Sequence, residues 1–210
     1  MKAAILHQVG DTTLDVRDDV ASTPVGAGKV RIRLRATGVC HSDLSAMTGT
    51  IPVAVPAVLG HEGAGEVVEV GAGVTGLAEG DHVVVCWSPQ CGACKDCVNG
   101  QPQLCMAYML NAFSDAHFMI GTTPVFGMAG AGTFAEELIV LEQGAIKIDK
   151  DVPLDVASLR QEWTAIKEEA RQLQPSALPS PEMVTVTAIT MDTMIIAIAR
   201  AVITMIITAE

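Results

Sequence analysis

The chain has 210 residues, half of them hydrophobic, and a formal charge of −11. That length suits one large domain or two small ones, and the apolar fraction supports a sizeable core rather than a disordered acidic tail. The negative charge and the 3% aromatic content argue against nucleic acid, which needs a basic surface and stacking rings.

Residues 1–16 read as two short strands around a turn at Gly10-Asp11, and residues 21–28 as a small, turn-rich loop. In residues 30–36, Val30, Ile32, Leu34 and Ala36 alternate with Arg31, Arg33 and Arg35. Period-two alternation predicts a half-buried strand whose arginines form a solvated face. Residues 42–47 suit a short helix capped by Ser42 or Asp43.

Residues 63–70 read as another strand, and Gly71, Gly73 and Gly76 then spell the dinucleotide fingerprint. That fingerprint needs a helix after its glycines, with the helix N-terminus on the pyrophosphate. Here a second turn at Gly80-Asp81 leads into a strand over residues 82–87, so the glycines belong to a hairpin-like connection in an all-β barrel. Gly127, Gly130 and Gly132 fail the same test, because a strand-like run over 133–140 follows. Trp87, read on its own, suits an ordinary barrel rim. Cys86 has no partner by spacing and reads as a packed thiol. Residues 108–126 read as a long loop without sharp periodicity, and His7, His82 and His117 have no partner at a motif spacing.

Two clusters carry chemistry. Cys40 and His41 follow the arginine strand, and twenty residues on come His61 and Glu62 between Gly60 and Gly63. A thiol, imidazoles and carboxylates can gather one zinc ion, which in a catalytic site keeps a position for water or substrate. A buried cysteine beside a core histidine is the bland alternative. The second cluster is Cys91, Cys94 and Cys97 at spacings of three, closed by Cys105. Four thiolates at such spacings make a closed, structural zinc site. Disulfides or a redox Cys-x-x-Cys are the alternatives. The opening residues 1–7 hold no apolar core long enough for a secretory signal, so the expected setting is cytoplasmic and reducing.

Cys40-His41-Ser42-Asp43, Gly60-His61-Glu62-Gly63-Ala64-Gly65-Glu66-Val67, Gly80-Asp81-His82-Val83 and the four-cysteine lobe resemble the zinc-dependent medium-chain alcohol dehydrogenases. The resemblance covers residues 1–159, with the lobe at about 88–108. It implies a mostly β fold, a partly open GroES-like barrel with a zinc-binding lobe, and oxidation of a small alcohol, or reduction of an aldehyde, with NAD or NADP. It also implies that Cys40 and His61 hold a catalytic zinc, with Glu62 an adjacent or direct ligand. Asp43 would orient His61, as metal-bound histidines require. Ser42 would take the alcohol proton, His41 would lie near coenzyme phosphates, and the region of Trp87 would line the substrate pocket. Cys91, Cys94, Cys97 and Cys105 would hold the structural zinc, and a homo-oligomer is compatible with the family.

The pattern departs from the family after Leu159. The family's third zinc ligand is a cysteine, yet no cysteine follows Cys105 and no glycine follows Gly144. A pyrophosphate turn depends on glycine, so a Rossmann domain is expected to be absent. This chain alone is expected not to oxidise alcohols, and the alternative to a dehydrogenase is a catalytically silent zinc-binding barrel or interaction module. Residues 160–210 read as an atypical tail, either an apolar element covering barrel surface or a truncated or out-of-frame end. It has a charged helical stretch over 162–174, a proline-rich linker over 175–181, and a run over 183–208 whose only charges are Asp192 and Arg200. Those charges shorten its apolar runs below the twenty or so residues that a membrane span needs, so a span is not expected.

Overall fold

The computed structural model describes residues 1–112, 114, 116–159 and 189–190. Its strands form two sheets that wrap a shared apolar core. In the first, the spatial order is β2 (Asp15–Arg17), β1 (Ala3–Leu6), β5 (Ala57–Val58), β9 (Thr123–Gly127), β8 (Phe118–Ile120) and β3 (Val20–Ser22). The second runs β10 (Glu137–Leu141), β4 (Lys29–Thr37), β6 (Gly63–Val70), β7 (His82–Val85) and β11 (Ala145–Lys147). Here β12 (Ile189–Thr190) pairs the end of β4 at Ala36 and Thr37. Among the described residues, four short helices join the strands: α1 (His41–Met47), α2 (Lys95–Val98), α3 (Met106–Ala112) and α4 (Leu154–Ser158). The architecture is the mostly β, partly open barrel that the sequence implies. Among the described residues the only parallel strand pair is β5 with β9, so no doubly wound nucleotide sheet occurs there.

β4 shows how the pattern drives the fold. Val30, Ile32, Leu34 and Ala36 are buried, and the arginines point outward. Arg31 Nε lies 2.9 Å from Glu69, Arg33 reaches Glu137 at 3.2 Å, and Arg35 reaches Glu66 at 3.6 Å. The solvated face is therefore laced by cross-strand ion pairs, each worth no more than about 1 kcal/mol at an exposed site. The driving force is on the other face. Ile5, Leu6, Ile32, Leu59, Phe118, Phe134 and Leu138 are almost fully buried, and each such side chain contributes about 1.5–3 kcal/mol of transfer free energy.

Several elements differ from the sequence expectations. The loop read over residues 21–28 begins with β3, which pairs β8 through Val20 and Ile120. The long loop over 108–126 is instead the end of α3 followed by the β8–β9 hairpin. Short strands of three residues carry too little alternation to be read from sequence. The strand over 82–87 stops at Val85, and that over 133–140 starts only at Glu137. In the tail, Ile189–Thr190 is strand, extending the sheet beside β4 where β10 leaves off. The helical stretch, the linker and most of the apolar run lie outside the described residues.

Candidate functional site

The turn between β4 and α1 delivers the first donor. Cys40 is extended (φ −114°, ψ 156°) and starts α1 as its cap residue, two positions before Ser42 and three before Asp43, the capping residues expected from the sequence. Asp43, in the first turn, reaches back so that its Oδ2 accepts the Cys40 N–H at 2.9 Å. The other oxygen, Oδ1, accepts the Gly60 N–H at 2.9 Å. A single carboxylate, 2% exposed, thus ties together the two loops that carry Cys40 and His61.

Gly60 has φ +85°, and a Cβ there would meet Thr133 and Phe134 at 2.5 Å. Only glycine suits this corner, which turns the chain so that His61 projects inward ahead of β6. His61 Nδ1 lies 3.6 Å from Asp43 Oδ1, an ion-pair rather than a hydrogen-bond distance. Glu62 fills the space over Gly38, where a Cβ would stand 2.1 Å from its Oε2. The donor atoms of Cys40, His61 and Glu62 all lie within 4.8 Å of one another. Thiolate, imidazole and carboxylate suit zinc, and three protein donors leave one tetrahedral position for a small molecule.

Beside these donors lies a cavity of about 260 Å³. Cys40, Ser42 and His61 form its polar end, with Ser42 Oγ 3.6 Å from Cys40 Sγ. Ala46, Ile51, Pro52, Val53, Trp87, Phe126, Met128 and Ala129 form apolar walls. Trp87 therefore lines the cavity while remaining half exposed at its rim. His41 points away, exposed, with Nδ1 3.4 Å from Ser45 Oγ.

The second cluster also forms. All six cysteines are free thiols, and the sulfurs of Cys91, Cys94, Cys97 and Cys105 lie within 4.8 Å of one another. The Cys91–Cys97 and Cys94–Cys105 sulfur pairs are each 3.9 Å apart. Four sulfurs about 2.3 Å from a tetrahedral zinc would be about 3.8 Å apart, close to the spacing of these two pairs. Backbone N–H groups already point at the sulfurs: Cys94 N–H donates to Cys91 Sγ at 3.2 Å, and Cys91 N–H donates to Cys105 Sγ at 3.4 Å. N–H groups of Ala93 and Cys94 hold the Cys91 thiol down at about 6. Lost solvation beside Cys94, Cys105 and Cys91 pushes Cys97 up to about 12. A zinc ion among these sulfurs would bind all four as thiolates and release the protons they carry.

A sequence profile of the Alcohol dehydrogenase GroES-like domain matches residues 26–150. The chain belongs to this family. It is 36% identical over 137 residues to an S-(hydroxymethyl)glutathione dehydrogenase of Paracoccus denitrificans, covering 61% of this chain and 36% of the relative. Among solved structures, an alcohol dehydrogenase zinc-binding domain protein from Burkholderia ambifaria superposes with a TM-score of 0.70 at 32% identity, covering 76% of this chain and 45% of that one. A benzyl alcohol dehydrogenase from Acinetobacter calcoaceticus gives a TM-score of 0.66 at 30% identity, covering 76% and 44%. The chain thus spans less than half the length of each of these proteins.

Within this GroES-like barrel, Cys40, Ser42 and His61, singled out from the sequence, line the cavity, whereas the residues of its far wall were not. Phe126, Gly127, Met128 and Ala129 arrive there because β9 runs parallel beside β5, a long-range pairing without a local sequence signal. His117, assigned no role above, is 1% exposed and donates from Nε2 to the Ala131 carbonyl at 2.9 Å, bracing the same segment. Burial raises the Cys86 thiol, in keeping with a packed side chain. Among the described residues, no helix is long and apolar enough to cross a membrane.

Proposed function

We propose that this chain provides the zinc- and alcohol-binding part of a zinc-dependent alcohol dehydrogenase working with NAD or NADP. The convergence of Cys40, His61 and Glu62 at the polar end of an otherwise apolar cavity carries this reading. When bound, zinc supplies Lewis acidity towards an alcohol oxygen, and a nicotinamide supplies the hydride acceptor.

The chain's own residues do the rest. Cys40, His61 and Glu62 hold the catalytic ion, and Asp43 fixes the backbone on both sides of it. Ser42 Oγ, in the cavity beside Cys40, takes the proton that the alcohol gives up. The apolar walls exclude water and orient a small uncharged alcohol or aldehyde. His41, on the outer side of α1, is the contact for coenzyme phosphate. Cys91, Cys94, Cys97 and Cys105 hold a second, structural ion. Residues 1–159 form the barrel unit, and residues 160–210 a tail of separate character.

Cobalt substitution tests the ligand set. Thiolate-to-cobalt absorption should fall in Cys40→Ser, and fall further in Cys94→Ser, where a four-thiolate site is broken. An unchanged spectrum in Cys40→Ser removes Cys40 from the ligands. A second reading, a catalytically silent zinc-binding barrel, draws support from the fold. Neither glycine triplet, from Gly71 or from Gly127, opens onto a helix that could hold a pyrophosphate.

A further inference from the structure

The far wall of the cavity is the segment Gly127-Met128-Ala129, and its geometry is unusual. Ala129 has φ +52° and ψ 30°, a left-handed conformation that a side chain with a Cβ disfavours. It is the only non-glycine residue with positive φ among the described residues. Such a conformation persists where neighbouring groups hold it.

Here the holding group comes from the cysteine lobe. Tyr108, on α3, donates its hydroxyl to the Ala129 carbonyl at 3.0 Å across 21 residues of chain. The ring is 7% exposed and packs with Cys105, Cys94, Cys97 and Leu141. Downstream, His117 holds the Ala131 carbonyl, and the Gly132 N–H donates to the Met128 carbonyl at 3.3 Å. The turn is anchored on its C-terminal side by these bonds, and at Ala129 itself by Tyr108.

We infer that Tyr108 is a positioning residue for the alcohol cavity: its hydroxyl holds Ala129 in the left-handed turn that sets the far wall, so order in the cysteine lobe is passed to the substrate site. The ring side of Tyr108 belongs to the lobe and its hydroxyl side to the cavity wall. Anything that displaces α3 withdraws the bond on which Ala129 depends. This rests on the cavity being the alcohol site proposed above.

The test uses the zinc-loaded full chain and two NMR readouts. One is titration with benzyl alcohol, followed on the Met128 methyl group in the cavity. The other is the Ala129 amide–Hα coupling and Cβ shift, which report left-handed backbone whether or not a ligand binds. In Tyr108→Phe, Ala129 should leave the left-handed region, and benzyl alcohol should bind about fivefold more weakly, the equivalent of one lost hydrogen bond. Adding Ala129→Gly should restore most of the affinity, because glycine takes the left-handed turn without a Cβ penalty. A general packing defect would not be repaired by that glycine. An unchanged Ala129 conformation and affinity in Tyr108→Phe, or changes that Ala129→Gly leaves unrepaired, would overturn the inference. If wild-type chain shows no benzyl alcohol shift at all, the alcohol-site reading fails, and the Ala129 coupling still decides the role of Tyr108.

Discussion

Replacing Asp43 by Ala should break the polar end of the cavity from behind. The carboxylate accepts two backbone N–H groups, from Cys40 and Gly60, both at 2.9 Å. Each hydrogen bond to an ionised group is worth roughly 1.5–3 kcal/mol, and a buried donor left without an acceptor adds its own desolvation cost. The Gly60 donor is buried, while the Cys40 donor is partly buried and regains some solvation. The expected loss is therefore about 2–4 kcal/mol, below the simple sum of two charge-assisted bonds. Asp43→Asn keeps the shape, but its NH2 group must face one of the two N–H donors, so it should recover less than half of that loss. Urea unfolding of the metal-free chain reads the structural part. Metal affinity of the Cys40–His61 site reads the positioning part, because both donor loops lose their shared anchor. A destabilisation below about 0.5 kcal/mol, the range of ordinary surface substitutions, with metal affinity unchanged would refute this account of Asp43.

Gly38→Ala would drive a Cβ to within 2.1 Å of Glu62 Oε2; it should weaken metal binding at the Cys40 site and leave the cysteine lobe's ion in place, as metal analysis of the dialysed variant would show. Asp81 is held below the usual carboxylate range by Lys147 Nζ at 2.8 Å, with help from the Ala78 N–H. Its stabilising contribution is full above the unfolded carboxylate value and is lost as pH falls through the folded one, so Asp81→Asn should flatten the stability profile below about pH 4 in acid unfolding. Titration calorimetry of this chain with NADH should show no saturable micromolar binding, and assays on simple primary alcohols no turnover. Neither glycine triplet opens onto a helix that could hold a pyrophosphate, and orientation of the nicotinamide is worth roughly 7–11 kcal/mol; clear turnover would reject the silent reading.

Much of the barrel was legible because its strands alternate. β4 buries every second residue and pairs its arginines outward, and β6 begins and ends where the sequence placed it. Rejecting the two glycine fingerprints needed only the residues after them, which return to strand rather than opening a helix. The four-cysteine lobe was legible from spacing, since short loops force the sulfurs together. What escaped was set by distant partners. β8 is three residues long and is a strand because Phe118 packs into the core and pairs with Val125. In α3, Leu110 is exposed while Tyr108 is buried beside Leu141, a partner distant in sequence. The cavity wall at Phe126–Ala129 exists through the β5–β9 pairing, which connects segments almost seventy residues apart.

The central claim is that one barrel carries two metal sites of unequal strength, a closed four-thiolate site and an open site built from Cys40, His61 and Glu62. The most direct measurement is zinc content per chain during stepwise exposure to a mild chelator, on wild type, Cys94→Ser and Cys40→Ser. The account predicts that wild type loses the open-site zinc first and keeps one resistant zinc. Cys40→Ser should keep that resistant ion from the start, and Cys94→Ser should lose it and loosen the lobe with it, because structural zinc binding is coupled to local folding. No zinc in reduced wild type with an ordered lobe, or two ions of equal resistance, would contradict the account.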